Sequence, residues 1–589
     1  VERGSRRAVE AFLNELSLRP DALDARWLLN LALMTLGEYP DAVPERWLIP
    51  PEVFASDHDI GRFRDVAPAA GLAEVGLAGG SVVEDLDGDG LLDIVTTSWG
   101  VRDPMRYYVN NGDGTFTDRT AEAGLTGLTG GLNVNHADYD NDGDADVMVF
   151  RGGWLGELGT IPNSLLRNNG DGTFDDVTEE AGLLELHPTH SGAWGDFNND
   201  GWLDLFVGSE QRSATHPHPS HLYVNNGDGT FDEIAAAVGL ADQGFVKGVV
   251  WGDYDNDGRL DLYVSTFGSP NRLYRNEGPG GSTDPRDWRF SDVTAAAGVG
   301  EPIFGFPTWF FDYDNDGFED IFVASWDPVA IDVVAARYLG LPHVTEGPRL
   351  YRNNGDGTFD DVTEGVRLRD AVLLAMSANF GDLDNDGWPD LYVGTGAPGL
   401  ETLMPNKMFR NANGEWFQDV TSSGGFGHLQ KGHGISFGDI DNDGDQDVFA
   451  VMGGWFSGDV YQNVLFENPG HGRHFLVLQL EGTRSNRAAV GARLRVRVGA
   501  PGGTREIRAT VGTGGSFGSS TLRQEIGLGG ATAIELVEVT WPRGGEVQVF
   551  RDLAVDGSYR LREGETAAIP LRRPTFAFPE TEHGGQGHR

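Results

Sequence analysis

Seven copies of one acidic phrase, D-x-D/N-x-D-G-x-x-D, place oxygen-bearing side chains at fixed spacing along the chain, and that spacing suits chelation of a hard divalent cation. The positions that could supply oxygens are Asp85, Asp87, Asp89, Leu91 and Asp93; Asp138, Asp140, Asp142, Asp144 and Asp146; Asp196, Asn198, Asp200, Trp202 and Asp204; Asp253, Asp255, Asp257, Arg259 and Asp261; Asp312, Asp314, Asp316, Phe318 and Asp320; Asp382, Asp384, Asp386, Trp388 and Asp390; and Asp439, Asp441, Asp443, Asp445 and Asp447. In each group the seventh loop position (Leu91, Asp144, Trp202, Arg259, Phe318, Trp388, Asp445) offers its backbone carbonyl, the others their side chains. Calcium takes six to eight oxygens at about 2.3–2.6 Å with tolerant geometry, which such a loop can meet. The glycine at loop position six permits the sharp turn. About seven structural Ca²⁺ ions are expected, with the third loop the weakest because Asn198 keeps an oxygen and removes a charge.

An EF-hand would carry a bidentate Glu at position twelve, where these loops hold Thr96, Val149, Val207, Val264, Val323, Val393 and Ala450. Apolar, β-branched or aromatic runs follow instead, such as LDLFVGS and LDLYVST, and read as strands. Between the acidic loops a second phrase recurs, LYVNNGDGTFDEI at 222–234 for instance, which reads as strand, tight Asn/Gly turn and strand. Four strands per period, repeated seven times at intervals of 53 to 70 residues, predict a mainly β fold, a seven-bladed calcium-binding β-propeller. Phe63, Phe116, Phe174, Phe231, Phe290, Phe359 and Phe417 mark seven outer strands. The one at 63–66 precedes the first loop and none follows the last, so this N-terminal strand is expected to complete the last blade and leave no bare edge.

These repeats resemble the FG-GAP or VCBS repeats of integrin α-chain propellers and of the cartilage acidic protein family. The C-terminal phrases TRSNRAAVGARLRVRV, VGTGGSFGSSTLRQEIGLG and VTWPRGGEVQVF resemble the ASPIC/UnbV domain of the same family. The resemblance implies a calcium-binding, usually exported protein and carries over no common activity. The expected division is a helical, TPR-like segment and linker at 1–59, the propeller at 60–468, an ASPIC/UnbV-like β-domain at 469–566 and a loosely attached or disordered tail at 567–589. Ala8, Phe12 and Leu16 share one helical face, and Trp27, Leu31, Met34 and Leu36-Gly37-Glu38-Tyr39 resemble one tetratricopeptide repeat, expected to pack on the propeller or to end a longer array. In the β-domain, Arg493, Arg495 and Arg497 are either the solvent face of one strand or a docking surface for the acidic propeller or an anionic partner.

Six residues before each acidic loop stand Gly79, Leu132, His190, Lys247, Phe306, Met376 and His433, a ring expected at the channel mouth on the face opposite the loops. The connections between second and third strands open on that face. They hold His216, His218 and His221, a long insertion at 325–348, and Trp99, Trp154, Trp326 and Trp455, which could stack on a ligand. With His187, His428 and Lys431 nearby, this face could hold a transition metal on imidazoles or support acid/base chemistry, with His190, Lys247, His433, Lys431 and His428 as catalytic candidates; satisfied structural polar groups are the competing reading. Trp194, Trp251 and Phe437, two residues before their loops, are expected in the packing between blades.

A net charge of −46 makes nucleic acid an improbable partner and couples folding to cation binding. The chain has no cysteine, which removes disulfides and thiol chemistry from consideration. Low-affinity calcium modules suit extracellular, cell-surface or periplasmic fluid, so an exported protein whose leader is absent from this chain is expected, without a membrane span. The resulting expectation is an extracellular binding, adhesion or surface-assembly module with structural calcium, a protein or glycan ligand at the top face and a capacity for self-assembly. The alternative is a metal-dependent or acid/base enzyme centred on His190, Lys247 and His433.

Overall fold

The computed structural model describes residues 2–212, 217–241, 244–369, 371, 374–500 and 503–580. Among the described residues, seven antiparallel sheets of four strands follow one another along the chain; six join their strands in sequence order, the last takes its outer strand from the N-terminus, and the first gains a fifth strand from the C-terminal domain. The third sheet is representative, with Thr189–Gly195, Asp204–Ser209, His221–Asn225 and Phe231–Glu233. Its second strand is buried along its whole length, as a strand packed on both faces must be. The outermost strand buries Phe231 and exposes the two acidic residues after it.

The innermost strands pack on one another in a closed cycle, from Ser81–Glu84 to Gly432–Gly438 and back to Ser81–Glu84, so the assembly is propeller-like. The N-terminal strand Arg64–Asp65 supplies the outer edge of the last sheet, with Arg64 opposite Glu467 and Asp65 opposite Phe466. The sequence-based expectation of a strand there is met, and the pairing joins residues some four hundred positions apart. Trp194, Trp251 and Phe437 lie in the apolar clusters between adjacent sheets. A glycine just before the acidic loop makes room for them: a Cβ on Gly381 would stand 2.3 Å from the Phe437 ring, and one on Gly195 2.7 Å from Trp251.

Two further four-stranded sheets form the C-terminal domain. One contains His474–Glu481, Gln524–Gly529, Gly557–Arg562 and Ile569–Pro570, and the other Arg493–Ala500, Gly503–Thr510, Ala533–Thr540 and Val547–Phe550. Alternating apolar residues such as Val496, Val537 and Leu478 meet between them over Trp541. The tail departs from expectation. Ile569–Pro570 pairs with Gly557–Arg562, Phe576 donates its N–H to the Asp441 carbonyl at 3.1 Å, and Phe578 is buried in the apolar cluster between the last and first sheets. Two phenylalanines spaced by two are enough to anchor an otherwise polar segment; residues 581–589 lie outside the described residues.

At the other end, helices Glu2–Leu18 and Leu23–Met34 pack together through Leu16, Ala25, Leu29 and Leu33. Trp27 and Leu31 then meet the helix Ile331–Tyr338, which the long insertion at 325–348 supplies. The Trp27 indole donates to the Leu403 carbonyl at 2.7 Å, tying this helical pair to the top of the fifth and sixth sheets. Among the described residues, no helix is long and apolar enough to cross a membrane.

Candidate functional site

The acidic loops join first to second strands at one end of every sheet, and three backbone contacts aim their carboxylates. The first Asp accepts the N–H of the loop glycine, as Asp85 does from Gly90 at 3.0 Å and Asp439 from Gly444 at 3.1 Å. The third acidic residue accepts the N–H of position seven, as Asp89 does from Leu91 at 2.8 Å. Asp144, Trp202, Arg259, Phe318, Trp388 and Asp445 donate in the same way. The last Asp accepts the N–H of the Asn that opens the neighbouring hairpin, as in Asp93 with Asn110 at 2.9 Å and Asp447 with Asn468 at 2.8 Å.

Several carboxylates have both oxygens bonded, as Asp93 does to Asn110 N–H on one side and to Leu86 N–H and the Tyr107 hydroxyl on the other, while others keep an oxygen without a partner. Buried carboxylate oxygens without a hydrogen-bond partner occur in six of the seven loops, at Asp85, Asp138, Asp204, Asp255 and Asp261, Asp314, and Asp439 with Asp441; in the sixth the corresponding Asp384 oxygen faces Arg473. Ligand atoms of Asp85, Asp87 and Asp89, of Asp138, Asp140 and Asp146, and of Asp253, Asp255 and Asp261 lie within 4.8 Å of one another. Burial and then mutual repulsion push Asp138 up to about 7 and Asp441 to about 8. Carboxylates held together in this way fit a divalent cation, which would satisfy the leftover oxygens and remove the repulsion.

The sixth loop differs. Arg410 reaches from the adjacent strand to Asp384 and Asp386, and Arg473 from the C-terminal domain lies 2.6 Å from Asp384. Guanidinium charge already occupies this loop. In the third loop, the Asn198 carbonyl accepts from Asp200 N–H at 2.9 Å and its amide nitrogen is buried without a partner.

Two asparagine ladders, read in the sequence only as turn residues, lock the loops to one another. The hairpin asparagine of every sheet donates to a carbonyl in the loop of the preceding sheet: Asn168 to Leu86 at 2.7 Å, Asn353 to Tyr254 at 2.8 Å, and Asn110 back to Ile440 at 3.3 Å, which closes the circle. The asparagine at loop position four sits in the left-handed region at Asn141, Asn199, Asn256, Asn315 and Asn385, where it donates to the glycine carbonyl of the next loop, as Asn199 does to Gly258 at 2.8 Å. Gly88 stands at that position in the first loop. Between the seventh and first loops Arg523 bridges instead, from Asn442 at 3.3 Å to the Gly90 carbonyl at 3.1 Å.

The C-terminal domain docks on this same face. Arg493 pairs with Asp253 and Asn256, while the Arg487 and Arg508 amides donate to Asn141 and Asn315, each at 2.7 Å. Arg495 and Arg497 pair inside their own sheet, with Glu506 and Glu538 and with Glu535. The strand thus divides its arginines between the two roles foreseen for them.

From the docked domain a glycine-rich loop threads the channel. Gly518–Ser519 pairs in parallel with Ser81 and Val82, Leu522 N–H donates to Glu84 at 2.7 Å, and Phe517, at φ 76°, reaches the ring on the far side. Its side chain lies 4.6 Å from the His190 ring and 6.2 Å from His433, and stacks on Phe306 at 5.4 Å. An open mouth around His190, Lys247 and His433 is therefore not what forms. All three are buried, the channel is filled from below, and Trp99, Trp154, Trp326 and Trp455 close it above.

Lys247 pairs with Glu210, a residue the alignment of blades did not single out because it lies at the end of a second strand. Glu210 also accepts from Arg212 at 3.0 Å and from Trp154 N–H at 2.8 Å, and stands 3.6 Å from His190. The ammonium lies 3.4 Å from the Trp154 ring centroid. Burial pushes Lys247 down to about 7 against the pull of Glu210, and burial with Lys247 and His433 beside it keeps His190 neutral. His428 and Lys431 do not join this group: His428 packs on the Phe466 ring and Lys431 pairs with Asp459. His187, His218 and His221 meet elsewhere on the top face; burial and the two neighbouring rings hold His187 at about 4, and His216 lies outside the described residues.

The FG-GAP-like repeat model matches residues 57–149, 157–207, 212–264, 253–323 and 312–393, together more than half of the chain, and the ASPIC and UnbV model matches 482–568. Cartilage acidic protein 1 of Homo sapiens is 29% identical over 238 residues, covering 39% of this chain and 33% of that protein; its Xenopus tropicalis counterpart is 29% identical over 216 residues, covering 36% and 31%. The matched regions thus span about a third of these relatives. Among solved structures, the Bacillus licheniformis rhamnogalacturonan lyase PL11 is similar at 12% identity and a TM-score of 0.36, covering 70% of this chain and 76% of that one. The exotype rhamnogalacturonan lyase YesX is similar at 13% identity and a TM-score of 0.33, covering 68% of each. The chain belongs to the FG-GAP-like repeat family and carries an ASPIC and UnbV domain after its repeats.

Proposed function

We propose that this chain is a calcium-stiffened seven-bladed propeller that acts outside the cell as a binding or assembly module, with calcium in a structural role and a protein or glycan ligand at the top face. The observation that carries the reading is the recurrence, in six of the seven acidic loops, of buried carboxylate oxygens with no partner. A buried charge without a counter-ion is costly, and six such arrays on one face call for cations. Export fits the modest affinity of calcium loops of this kind and the kinship with cartilage acidic protein 1.

The binding face follows from where the apolar surface lies. Val101, Leu158, Val344, Leu400, Phe456 and Val460 are exposed, and all sit in connections between second and third strands, opposite the face that the C-terminal domain covers. Exposed apolar residues gathered on one face favour a partner there. The calcium reading is tested by counting metals per chain by mass spectrometry after gentle purification in calcium buffer. Between five and seven calcium ions are expected; a protein without calcium, or one that melts at the same temperature in calcium and in chelator, would sink it.

A further inference from the structure

We propose that His187, His218 and His221 form a binding site for one zinc-type transition-metal ion, at the top of the third sheet and separate from the acidic loops. The Nδ1 atoms of His187 and His218 face each other at 3.0 Å, and the His221 ring stacks on His187 with centroids 5.0 Å apart. Two nitrogens that each hold a zinc ion at about 2.0–2.1 Å are roughly 3.3 Å apart in a tetrahedral site, so the observed separation needs only a small adjustment. Three imidazole nitrogens here are buried with no hydrogen-bond partner: His218 Nε2 and both nitrogens of His221. His221 itself is more than nine-tenths buried.

Carboxylates stand behind the rings in the manner of outer-shell partners. Glu185 lies 3.7 Å from His187 Nε2, and Glu233 lies 3.8 Å from His221 Nδ1. Both stand just beyond hydrogen-bond distance, and a small approach on metal binding would let each accept from its ring, leaving His187 Nδ1 and His221 Nε2 for the metal. The backbone is prepared for this. His187 and His218 both precede proline, which restricts them to extended conformations. His221 opens a strand whose register is fixed on both sides, with Val207 opposite it and Glu233 opposite its neighbour but one, Tyr223. Neutral imidazoles select zinc, copper or nickel over calcium, which prefers oxygen, so the site would not compete with the loops for their ion.

The test uses the full chain, stripped of adventitious metal and then kept saturated with calcium so that the acidic loops do not take up the probe. Titration with zinc chloride by calorimetry is expected to show one tight site per chain, and cobalt(II) substitution the intense visible absorption of a four-coordinate ion. His218→Gln and His187→Gln should each weaken zinc binding about tenfold or more while calcium content and zinc-free melting temperature stay unchanged. Calcium-saturated wild-type protein that binds no zinc would overturn the proposal. Equal zinc affinity in wild type and His218→Gln would do so as well, by placing the zinc on other histidines.

Discussion

At the residue scale the seven loops are not equivalent, and the difference lies in side chains outside the repeated phrase. The phrase itself ranks the third loop lowest, through Asn198. The structure adds a competitor in the sixth, where Arg410 and Arg473 bring two positive charges onto Asp384 and Asp386. A divalent ion there must displace guanidinium contacts that already satisfy those oxygens, so the sixth loop is expected to fill last, and Arg410→Ala to raise its calcium affinity and the calcium count at limiting concentration. Isothermal titration of both proteins decides this, and an unchanged isotherm would mean that the arginines move aside at no cost. A second residue-level consequence concerns acid. Burial and the Lys431 charge hold His433 down to about 3, far below the ordinary imidazole. As pH falls below 6.5 the unfolded chain takes up this proton before the folded one can, so stability is fully present above about 6.5 and is lost towards 3, by up to about 1.4 kcal/mol per pH unit. His433→Gln should therefore lose less stability than wild type between pH 7.5 and 5 in calcium, as followed by urea unfolding. Equal losses would show that His433 finds a proton in the folded state.

At the scale of elements, the ladder of hairpin asparagines does the joining that strands cannot do, because hydrogen bonds within a sheet never cross to the next one. Asn276 shows the arrangement: its amide donates to the Leu260 carbonyl in its own sheet at 3.1 Å and to the Phe197 carbonyl in the preceding loop at 3.0 Å, and its carbonyl accepts from Gly278. Removing that side chain orphans buried groups on two sheets at once, so Asn276→Ala should cost about 3 kcal/mol in thermal or urea unfolding. A cost below about 1 kcal/mol would mean that water replaces the side chain. This ladder marks where the sequence stops being legible. The acidic loops, the four-strand period and the closing strand at 63–66 can be read because each depends on local spacing, and a ring imposes the closure. The asparagines look like ordinary turn formers, since their second role depends on a neighbour some eighty residues away in sequence. The channel plug is hidden for the same reason. SFGSS at 516–520 is a flexible, glycine-rich stretch in sequence, and only docking of its domain on the loop face carries Phe517 through the channel to His190. Glu210 escaped notice because a single acid at a strand end has no pattern, and the tail because two phenylalanines in a polar segment become an anchor only beside a preformed surface.

At the scale of the whole molecule, one face carries the acidic loops, both asparagine ladders and the docked C-terminal domain, so the calcium proposed for that face would bear on all of them together. The arginines that dock the domain and the cations proposed for the loops address the same net charge of −46, yet they are not interchangeable: Arg493 reaches one oxygen of Asp253, whereas Asp255 and Asp261 in that loop keep buried oxygens that no arginine touches. A calcium site with a dissociation constant of about 10⁻⁴ M, in about 2 mM calcium, stabilises the folded state by about 1.8 kcal/mol. Six or seven such sites sum to about 11–13 kcal/mol, comparable to the entire stability of an ordinary domain. Chelation at pH 7.5 is thus expected to lower the melting temperature by more than about 10 °C. The domain core around Trp541 contains no acidic loop and should keep its own transition, so one calorimetric peak in calcium should become two in chelator. The threaded loop sharpens the expectation. With Gly518–Ser519 paired inside the channel, the domain cannot leave an intact ring, and backbone amides at 518–519 should stay protected from hydrogen exchange in calcium even at about 1 M salt, where contacts between exposed charges are screened. Loss of that protection in salt alone would mean that docking rests on the arginines. Loss only on chelation would mean that it rests on the ring, and that calcium holds the ring closed around the plug.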